Sequence, residues 1–541
     1  MKRLVWLIVN SSYSHSSLAL PLIHSVSREI PGWKWERLEV TLEEDPAETA
    51  IRIASLKGNL LCATLYLFNR NAVLDILSRV KALLPEIHIA VGGPEALGSG
   101  AENLLASSPF IGTVFRGEGE IEFPQFLRSF PTENRGILPE NGKPGVYHDW
   151  AEKSGIPAED AFFRTDKPFV QLETSRGCPM KCIYCTSANS PVRFKSIEAV
   201  RRELTVLREK KVHEIRLLDR TFNYPPSRGA ELLRLFREEF PELRFHLEIH
   251  PQCLNDDLRA ELSQANPGQL HLEAGIQSLD PNVMRAIGRG GDPETVLEGI
   301  RFLCSCTAFE THVDLIAGLP EQNIESIFRD VSTLIASGPA EIQLEVLKVL
   351  PGTALRESPL STGCVYSPDP PYDVMRTPLM SGEAILVARL LSRLLDLTYN
   401  HPALHPVIRH AQTEKPDMLK SLFSFFIERG LSLRKLYDLR DRFLLLAEFL
   451  ANRNFEQSGK VLALQWLRFG YQPGVGPGKS AEAVEIVPDH AKLLSGDPDA
   501  ASLRGTKFWK LCDESGNLHI FAFNRSIAMN KPAAEWIQIF D

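Results

Sequence analysis

Three cysteines, Cys178, Cys182 and Cys185, lie within the eight-residue sequence CPMKCIYC. A tight loop with this spacing can place three thiolates around a [4Fe–4S] cluster, in which each iron needs a ligand. With three ligands from the protein, the fourth iron stays open to a group that is not protein. A zinc ion would normally require a fourth Cys or His at a matching spacing, and none follows nearby. The spacing therefore favours an open cluster over a zinc knuckle or a chance grouping.

With Tyr184 directly before the third cysteine, the loop resembles the cluster motif of the radical S-adenosylmethionine (SAM) superfamily. The resemblance implies that the open iron binds the amino and carboxylate groups of SAM, and that the reduced cluster generates a 5′-deoxyadenosyl radical. Cys178, Cys182 and Cys185 are then both the metal ligands and the catalytic residues. The same resemblance implies an external electron donor of the flavodoxin or ferredoxin type.

Polar residues at the ends of later predicted strands would complete a SAM site. Asp219 and Thr221 follow a predicted strand, at the position where the superfamily often has a glycine-rich turn near the SAM amino group. A carboxylate departs from that pattern but suits an ammonium partner. Glu273, just before Gly275, points into the same region, with an ion pair as an equal alternative.

The next strand ends are similar to those of the oxygen-independent coproporphyrinogen oxidases, in the segments EIHP, GIQS and DLIAGLP. This resemblance implies that Glu248 contacts the amino-acid part of SAM. Arg289 falls where an arginine pairs with the SAM carboxylate, a bidentate task suited to a guanidinium. Gln277 and Asp314 fall where side chains bond the ribose, and Ile316 falls where an isoleucine packs on the adenine.

A second group of candidates lies in the first 130 residues, after predicted strands at Leu60–Leu67, Ile87–Val91 and Thr113–Phe115. Ligands of parallel sheets bind at the carboxyl ends of the strands, and a glycine pair lets a ligand approach the backbone closely. As a set, these loops resemble the cobalamin-binding domain that precedes many radical SAM domains; an empty flavodoxin-like domain is the alternative. The implied cobalamin-binding residues are Thr64, Tyr66, Gly92, Gly93, Glu95, Gly117 and Glu118.

His15 is a candidate lower ligand of the cobalt. Methionine-synthase-type domains carry Asp-x-His-x-x-Gly after the first strand, whereas here Tyr13 replaces the Asp and Leu18 replaces the Gly. The missing carboxylate is the group that would orient and polarise the imidazole. Many cobalamin-binding radical SAM enzymes lack a protein ligand altogether. The alternative role for His15 is to cap the following helix or to face the corrin as a neutral polar group.

The predicted strands and helices that position these residues alternate along the chain, which indicates an α/β protein. Residues 1–130 alternate short apolar runs with helical patterns, which predicts a Rossmann-like parallel sheet domain. Residues 131–167 predict a linker rich in Pro, Gly and charge. Residues 168–355 hold six or seven βα units, too few for a closed barrel, and predict a partial (β/α)6 TIM-type radical SAM barrel. Residues 356–541 predict a mostly helical extension with a β-hairpin.

Within this last segment, helical periodicity predicts helices over Tyr372–Leu397 and 416–452. Two apolar runs, Lys507–Leu511 and Leu518–Phe523, flank a turn-like sequence and predict the hairpin. The segment resembles the C-terminal extension of undefined function found on one branch of cobalamin-binding radical SAM proteins.

The composition limits the class of protein. The 541 residues carry a formal net charge of −8, so no general electrostatic attraction to nucleic acid is expected. The apolar run at the N-terminus stops at Asn10, which is too short for a signal-peptide core or a membrane span. Three of the nine cysteines belong to the cluster motif, which favours a reducing cytoplasm over a disulfide framework.

The sequence thus predicts a cobalamin-dependent radical SAM enzyme that uses a [4Fe–4S] cluster, SAM and cobalamin. In the resembled family one SAM methylates cob(I)alamin, a second supplies the radical, and a substrate carbon radical takes the methyl group from methylcobalamin. A methyltransferase acting on an unactivated carbon is therefore the first hypothesis. A non-methylating cyclase, oxidoreductase or rearrangement enzyme that binds cobalamin is the second, and a sensor without turnover is the third. The sequence does not indicate the substrate, and small metabolites, peptides and lipids all stay open.

Overall fold

The computed structural model describes residues 1–131, 135–188, 190–357, 363–484, 506–513, 515–524 and 534–538. The chain forms two compact units. Unit 1 comprises Met1–Asn323 and Val346–Ile385, and unit 2 comprises Ile324–Glu345 and Leu386–Asp541. All of the site residues predicted from the sequence lie in unit 1.

Unit 1 begins with a parallel sheet. Its strands are β1 (Lys2–Asn10), β2 (Trp33–Thr41), β3 (Leu60–Thr64), β4 (His88–Gly92), β5 (Thr113–Phe115) and β6 (Gly136–Leu138). The connecting helices are α1 (Ala19–Ser27), α2 (Pro46–Ser55), α3 (Arg70–Leu83), α4 (Gly100–Ser107) and α5 (Glu122–Ser129). The strand order is β2-β1-β3-β4-β5-β6, and every neighbouring pair is parallel. This is a flavodoxin-like order, in which the connections reverse between β1 and β3.

The apolar sequence of β1 reflects burial on both faces of the sheet. Val5 and Leu7 pack into the core on one face, and Leu4 and Trp6 pack into the core on the other. A strand covered by helices on both sides reads as a continuous apolar run rather than an alternating one. The prediction of a parallel, Rossmann-like sheet is confirmed.

β6 lies inside the stretch that the sequence predicted as a linker. Its residues pair with β5 in parallel, with Thr113 opposite Gly136 and Phe115 opposite Leu138. Three residues without periodicity carry too little pattern to indicate a strand, so only the neighbouring strand reveals this one.

The second half of unit 1 contains another parallel sheet. Its strands in unit 1 are β7 (Val170–Leu172), β10 (Glu214–Leu217), β11 (Arg244–Ile249), β12 (Leu270–Gln277) and β13 (Glu310–Ala317). A separate antiparallel hairpin, β8 (Ser175–Cys178) and β9 (Ser190–Phe194), follows β7. The helices are α6 (Trp150–Lys153), α7 (Ile197–Glu209), α8 (Pro226–Glu239), α9 (Asp256–Ser263), α10 (Pro281–Ala286) and α11 (Pro293–Ser305). The order in unit 1 is β13-β12-β11-β10-β7, with parallel neighbours throughout. An open βα series of this kind confirms the prediction of a partial barrel.

One face of this sheet is polar. Along β12 and β13 the side chains alternate between fully buried and half-buried positions. The buried positions are apolar, such as Leu272 and Val313, whereas the other face carries Glu273, His312 and Asp314. Because successive side chains of a strand point to opposite faces, the predicted SAM residues share the polar face.

The chain continues with α12 (Ile324–Ser337), β14 (Glu341–Val346), α13 (Ala354–Glu357), β15 (Val365–Tyr366), β16 (Val374–Arg376) and α14 (Gly382–Leu397). The prediction of a helix starting at Tyr372 is wrong over its first ten residues. Val374–Arg376 pairs with β15 in an antiparallel ladder, and α14 begins only at Gly382. Pro378 interrupts the helical pattern, and the Ser381 hydroxyl then accepts a hydrogen bond from the Ala384 amide at 3.3 Å.

The described part of unit 2 is helical, with a small sheet. Its remaining elements are α15 (His405–Glu414), α16 (Met418–Glu428), α17 (Leu439–Asn452), α18 (Glu456–Arg468), β17 (Glu482–Val484), β18 (Thr506–Cys512), β19 (Leu518–Asn524) and β20 (Ala534–Gln538). β18 and β19 form the predicted hairpin, flanked by β17 and β20 in an antiparallel sheet. The predicted helix over 416–452 is divided, because Gly430 adopts a φ of +78° after α16 and Asp438 caps α17.

Across the described ranges, no helix combines the length and the apolar character needed to cross a membrane.

Candidate active site

The cysteine loop follows β7 and starts inside the β8–β9 hairpin. Gly177 adopts a φ of +90°, and a side chain there would meet the Pro191 carbonyl at 2.2 Å, so the hairpin requires glycine next to Cys178. Further along the loop, the Ile183 amide donates to the Ile287 carbonyl at 2.9 Å. The Ile183 carbonyl in turn accepts from the Leu355 amide at 2.8 Å. Ile183, between the second and third cysteines, is therefore held by two backbone hydrogen bonds.

The three thiols of this loop are free cysteines. Cys178 and Cys182 are buried and Cys185 is half-buried. The Ser187 amide donates to the Cys185 sulfur at 3.4 Å, and the Thr221 hydroxyl lies 3.6 Å from the Cys178 sulfur. Amide and hydroxyl donors next to sulfur suit thiolate ligands of a cluster. Burial raises the pKa of Cys185, so a bound cation is needed to hold it as thiolate at neutral pH.

Asp219 holds the segment that leads into the cysteine loop. Its buried carboxylate accepts from the Thr174 amide at 2.7 Å and from the Ser175 amide at 3.1 Å. The hydroxyls of the same two residues donate to it as well. These four bonds engage both carboxylate oxygens, which is a positioning task that the sequence did not indicate.

Arg289 reaches the cysteine loop from the end of α10. Its Nη1 lies 3.7 Å from the Cys182 sulfur and 3.5 Å from the Tyr184 hydroxyl, and its Nη2 donates to the Gly275 carbonyl. Burial raises the pKa of Tyr184, so the phenol is neutral beside this cation. The structure thus brings the predicted SAM-carboxylate residue next to the predicted cluster.

Gln277 and Asp314 meet at the carboxyl ends of β12 and β13. Gly275 pairs with Asp314 across the two strands, and Gln277 follows after an irregularity in the ladder. Gln277 adopts a φ of +69°, which is uncommon for a residue with a side chain. Its buried side-chain oxygen has no hydrogen-bond partner. A buried amide oxygen without a partner suits a hydroxyl-bearing ligand at this position.

Glu248 and Glu273 lie side by side on β11 and β12. Burial raises the pKa of Glu248 and the charge of Glu273 raises it further, whereas Arg220 opposes the shift. The Nε2 atom of His246 lies 2.9 Å from a carboxylate oxygen of Glu273. The hydrogen bond between them lowers the pKa of Glu273. Glu273 thus has the kind of protein partner that the sequence left open as an alternative to a SAM contact. Ile316 lies on β13 two residues beyond Asp314, on the same face.

A cavity of about 610 Å³ lies within unit 1, beside the cysteine loop. On one side it is lined by the carboxyl-end loops of β3, β4 and β5, and on the other by the β8–β9 hairpin and by Arg220. Thr186 and Ser187, directly after Cys185, form part of the wall. The predicted cobalamin residues that line this cavity are Thr64, Tyr66, Gly92, Gly93, Gly117 and Glu118.

The glycines of this wall are needed for close packing. Gly93 has a φ of +103°, and a Cβ there would lie 2.6 Å from the Leu65 carbonyl. At Gly117, with a φ of +86°, a Cβ would lie 2.5 Å from the Gly145 carbonyl. At both positions a side chain would collide with protein backbone, so glycine is needed for these loops to pack at the edge of the cavity. The cavity and its glycine loops fit a corrinoid.

Two predicted cobalamin residues lie outside the cavity wall. The His15 ring bonds the Ser12 hydroxyl at 2.8 Å and packs edge-on against Phe169. Glu95 accepts from the Tyr372 hydroxyl at 2.7 Å, and Arg70 lies 3.4 Å from the same carboxylate oxygen. Both side chains thus have protein partners and neither lines the cavity.

A network of charges in the cavity wall was missed by sequence reasoning. Arg176 lies 2.8 Å from Glu120 and 2.9 Å from Glu173, and Arg193 donates to Glu118 at 2.9 Å. These pairs join the loop after β5 to the β8–β9 hairpin. Arg176 stands two residues before Cys178, and this position next to the motif was the available signal.

Comparison with known proteins gives two family matches. Residues 172–334 match the model described as the radical SAM superfamily, and residues 361–478 match a family described as a protein of unknown function, DUF4080. The chain is also similar to the "Uncharacterized methyltransferase PH0819" of Pyrococcus horikoshii, with 25% identity over 299 residues. That alignment covers 51% of this chain and 64% of the relative, which is less than two thirds of the relative's length.

Two solved structures share the fold. The first is the radical SAM methyltransferase TsrM of Kitasatospora setae, described with tryptophan substrate and a SAM analogue bound; the TM-score is 0.55 at 15% identity, covering 70% of this chain and 80% of TsrM. The second is OxsB, described as a cobalamin-dependent SAM radical enzyme with aqua-cobalamin and SAM bound. Its TM-score is 0.59 at 12% identity, covering 85% of this chain and 78% of OxsB. At these identities the likeness concerns the fold.

Proposed function

We propose that this chain, which belongs to the radical SAM superfamily, is a cobalamin-dependent radical SAM enzyme that methylates an unactivated carbon. The observation that carries the proposal is the position of the 610 Å³ cavity. Its wall joins the glycine loops of a flavodoxin-like sheet to Thr186 and Ser187, which directly follow Cys185. A corrinoid held there would lie beside a cluster held by the cysteine loop. Methyltransferase names among the similar proteins agree with this reading.

In this proposal one group of residues holds the cluster, a second holds SAM and a third holds the corrinoid. Cys178, Cys182 and Cys185 would hold the [4Fe–4S] cluster, with Arg289 beside them for the SAM carboxylate. The polar strand ends of the barrel would hold the rest of SAM, through Thr221, Glu248, Glu273, Gln277, Asp314 and Ile316, whereas Asp219 would position the segment that leads into the cysteine loop. When bound, the cluster supplies an electron for SAM cleavage and cobalamin supplies a methyl carrier.

The corrinoid would rest on Thr64, Tyr66, Gly93, Gly117 and Glu118. Because His15 bonds Ser12 and lies outside the cavity wall, we propose that it does not ligate cobalt. Glu95 would act indirectly, by holding the glycine loop through Tyr372. The proposal also includes an external one-electron donor and a reducing cytoplasm, in which the buried thiols stay reduced.

The test is SAM turnover by anaerobically reconstituted protein with cobalamin, a strong reductant and SAM labelled on its methyl group. We expect 5′-deoxyadenosine to form, and label to pass to an acceptor in a metabolite extract. A variant with all three cysteines changed to alanine is the matched control and should form no 5′-deoxyadenosine. Cleavage of SAM without label transfer would favour the non-methylating alternative. No cleavage under any reducing condition would contradict both.

A further inference from the structure

Three side chains that can ligate a metal lie on the same strands as predicted SAM residues, and one of them, His312, is paired opposite Glu273. One ligand atom from each of His271, Glu310 and His312 lies within 4.8 Å of the other two. His271 is on β12 and pairs directly with Glu310 on the neighbouring β13. His312 follows two residues later on β13, so it points to the same face as Glu310. Two neighbouring strands therefore bring the three side chains close together.

The group lies toward the amino ends of these strands. His271 precedes Gly275 by four residues and His312 precedes Asp314 by two, which places His271 about 13 Å and His312 about 7 Å below the level of Gly275 and Asp314. The cysteine loop follows the carboxyl end of β7, at the opposite edge of the sheet. None of the three residues lines the 610 Å³ cavity.

The surroundings suit a metal ion. The His271 and His312 rings pack edge to face with centroids 4.1 Å apart, and the His246 ring stacks on His271 at 4.6 Å. Imidazole nitrogens and carboxylate oxygens are common ligands of zinc. Both ligand histidines are half-buried and Glu310 is exposed, so an ion can enter from solvent.

We propose that His271, Glu310 and His312 bind a divalent transition-metal ion, with zinc favoured. Two imidazoles and one carboxylate are a donor set that zinc accepts, with metal–ligand bonds of about 2.0–2.2 Å. Tetrahedral ligand atoms would then lie about 3.4 Å apart. Side-chain movements of about 1 Å, mainly of the exposed Glu310, would bring the three ligand atoms to that separation. The fourth position stays open to water or to a donor group of a substrate. The site does not depend on SAM or cobalamin chemistry.

The test is zinc binding by the full chain in which Cys178, Cys182 and Cys185 are replaced by alanine, because these thiols would compete for the ion. After treatment with a chelator, the protein is titrated with Zn²⁺ against a chromophoric chelator, and then with Co²⁺. We expect one equivalent of tightly bound Zn²⁺ and a cobalt spectrum without a thiolate charge-transfer band. In the same background, His271→Ala and His312→Ala should each weaken binding by at least about 100-fold.

Two further variants keep the test decisive. Glu310→Ala changes an exposed side chain, leaves the fold intact and should weaken zinc binding by about 10-fold or more. His213→Ala, an exposed histidine just before β10, is the matched control and should bind zinc unchanged. The absence of a tight equivalent would overturn the proposal. So would affinity that is unchanged in His312→Ala and Glu310→Ala, or a cobalt–thiolate band.

Discussion

Asp219 shows how one buried charge can organise a reactive loop. Its carboxylate accepts hydrogen bonds from the amides and hydroxyls of Thr174 and Ser175, four and three residues ahead of Cys178. Burial raises the pKa of Asp219, and these hydrogen bonds offset only part of that rise. A carboxylate that satisfies four donors fixes the direction in which the chain enters the loop. The sequence pointed to a ligand contact at this residue, whereas the structure gives it protein partners.

Asp219→Asn should loosen the cysteine loop. An amide has only one acceptor atom, so at least one buried donor of Thr174 or Ser175 loses its partner. We expect the free energy of unfolding to fall by about 2 kcal/mol, the scale of a hydrogen bond to a charged group. Iron bound after reconstitution should fall in parallel. Urea unfolding and iron analysis measure the two effects.

The matched control is Asp257→Asn, an exposed residue of α9, which should change neither quantity. Full iron content in Asp219→Asn would contradict a positioning role for Asp219.

At the scale of elements, the β8–β9 hairpin connects the two sheets of unit 1. It carries Cys178 at the end of β8 and Arg193 on β9, and Arg193 donates to Glu118 in the loop after β5. Arg176 on β8 binds Glu120 from the same loop. The hairpin therefore fixes the cysteine loop relative to the glycine loops of the cavity.

Glu118→Gln should weaken this connection in a pH-dependent way. Burial opposes ionisation of Glu118, but the hydrogen bond from Arg193 and the charge of Arg176 outweigh it, so the pKa of Glu118 lies below its ordinary value. A lowered folded-state pKa stabilises the fold above the unfolded-state pKa, near 4.3, and this contribution is lost as pH falls through the folded value. We expect Glu118→Gln to be about 2 kcal/mol less stable at pH 7.

The difference between wild type and Glu118→Gln should shrink as the pH falls below about 4. Urea unfolding at a series of pH values measures it. Glu29→Gln, at an exposed position, should track the wild type. A constant difference across pH would show that the variant acts through packing and not through charge.

At the scale of the whole molecule, the parts that sequence could predict are those with local patterns. The spacing of Cys178, Cys182 and Cys185 is local, and so are the apolar run of β1 and the βα alternation of the barrel. β6 could not be predicted, because its three residues form a strand only through pairing with β5. The partners of Asp219 and Arg193 are 44 to 75 residues away along the chain, and only the fold brings them together.

The predicted cobalamin-binding residues differ in whether they line the cavity. The glycine loops line the cavity as expected, since close backbone approach has a sequence signal in Gly92 and Gly93. Glu95 lies in the same loop as Gly93, and His15 lies in the loop after β1, but both side chains contact protein partners, which no spacing in the sequence reveals. The sequence thus predicts which loops lie at the cavity, but not which of their side chains line it.

We propose that one chain holds a cluster at its cysteine loop and a corrinoid at its glycine loops. The most direct measurement is the iron and corrinoid content of anaerobically reconstituted protein. We compare the wild type with three variants: the triple cysteine-to-alanine protein, Gly93→Ala and Gly32→Ala. Gly32 shares a positive φ with Gly93, +86° against +103°, but a Cβ there meets nothing within 4 Å.

We predict about four iron atoms and about one corrinoid per wild-type chain. The triple cysteine variant should lose iron and keep corrinoid, and Gly93→Ala should lose corrinoid and keep iron. Gly32→Ala should keep both. Wild-type protein that binds iron but no corrinoid, or corrinoid content that is the same in Gly93→Ala and the wild type, would contradict the assignment of the cavity.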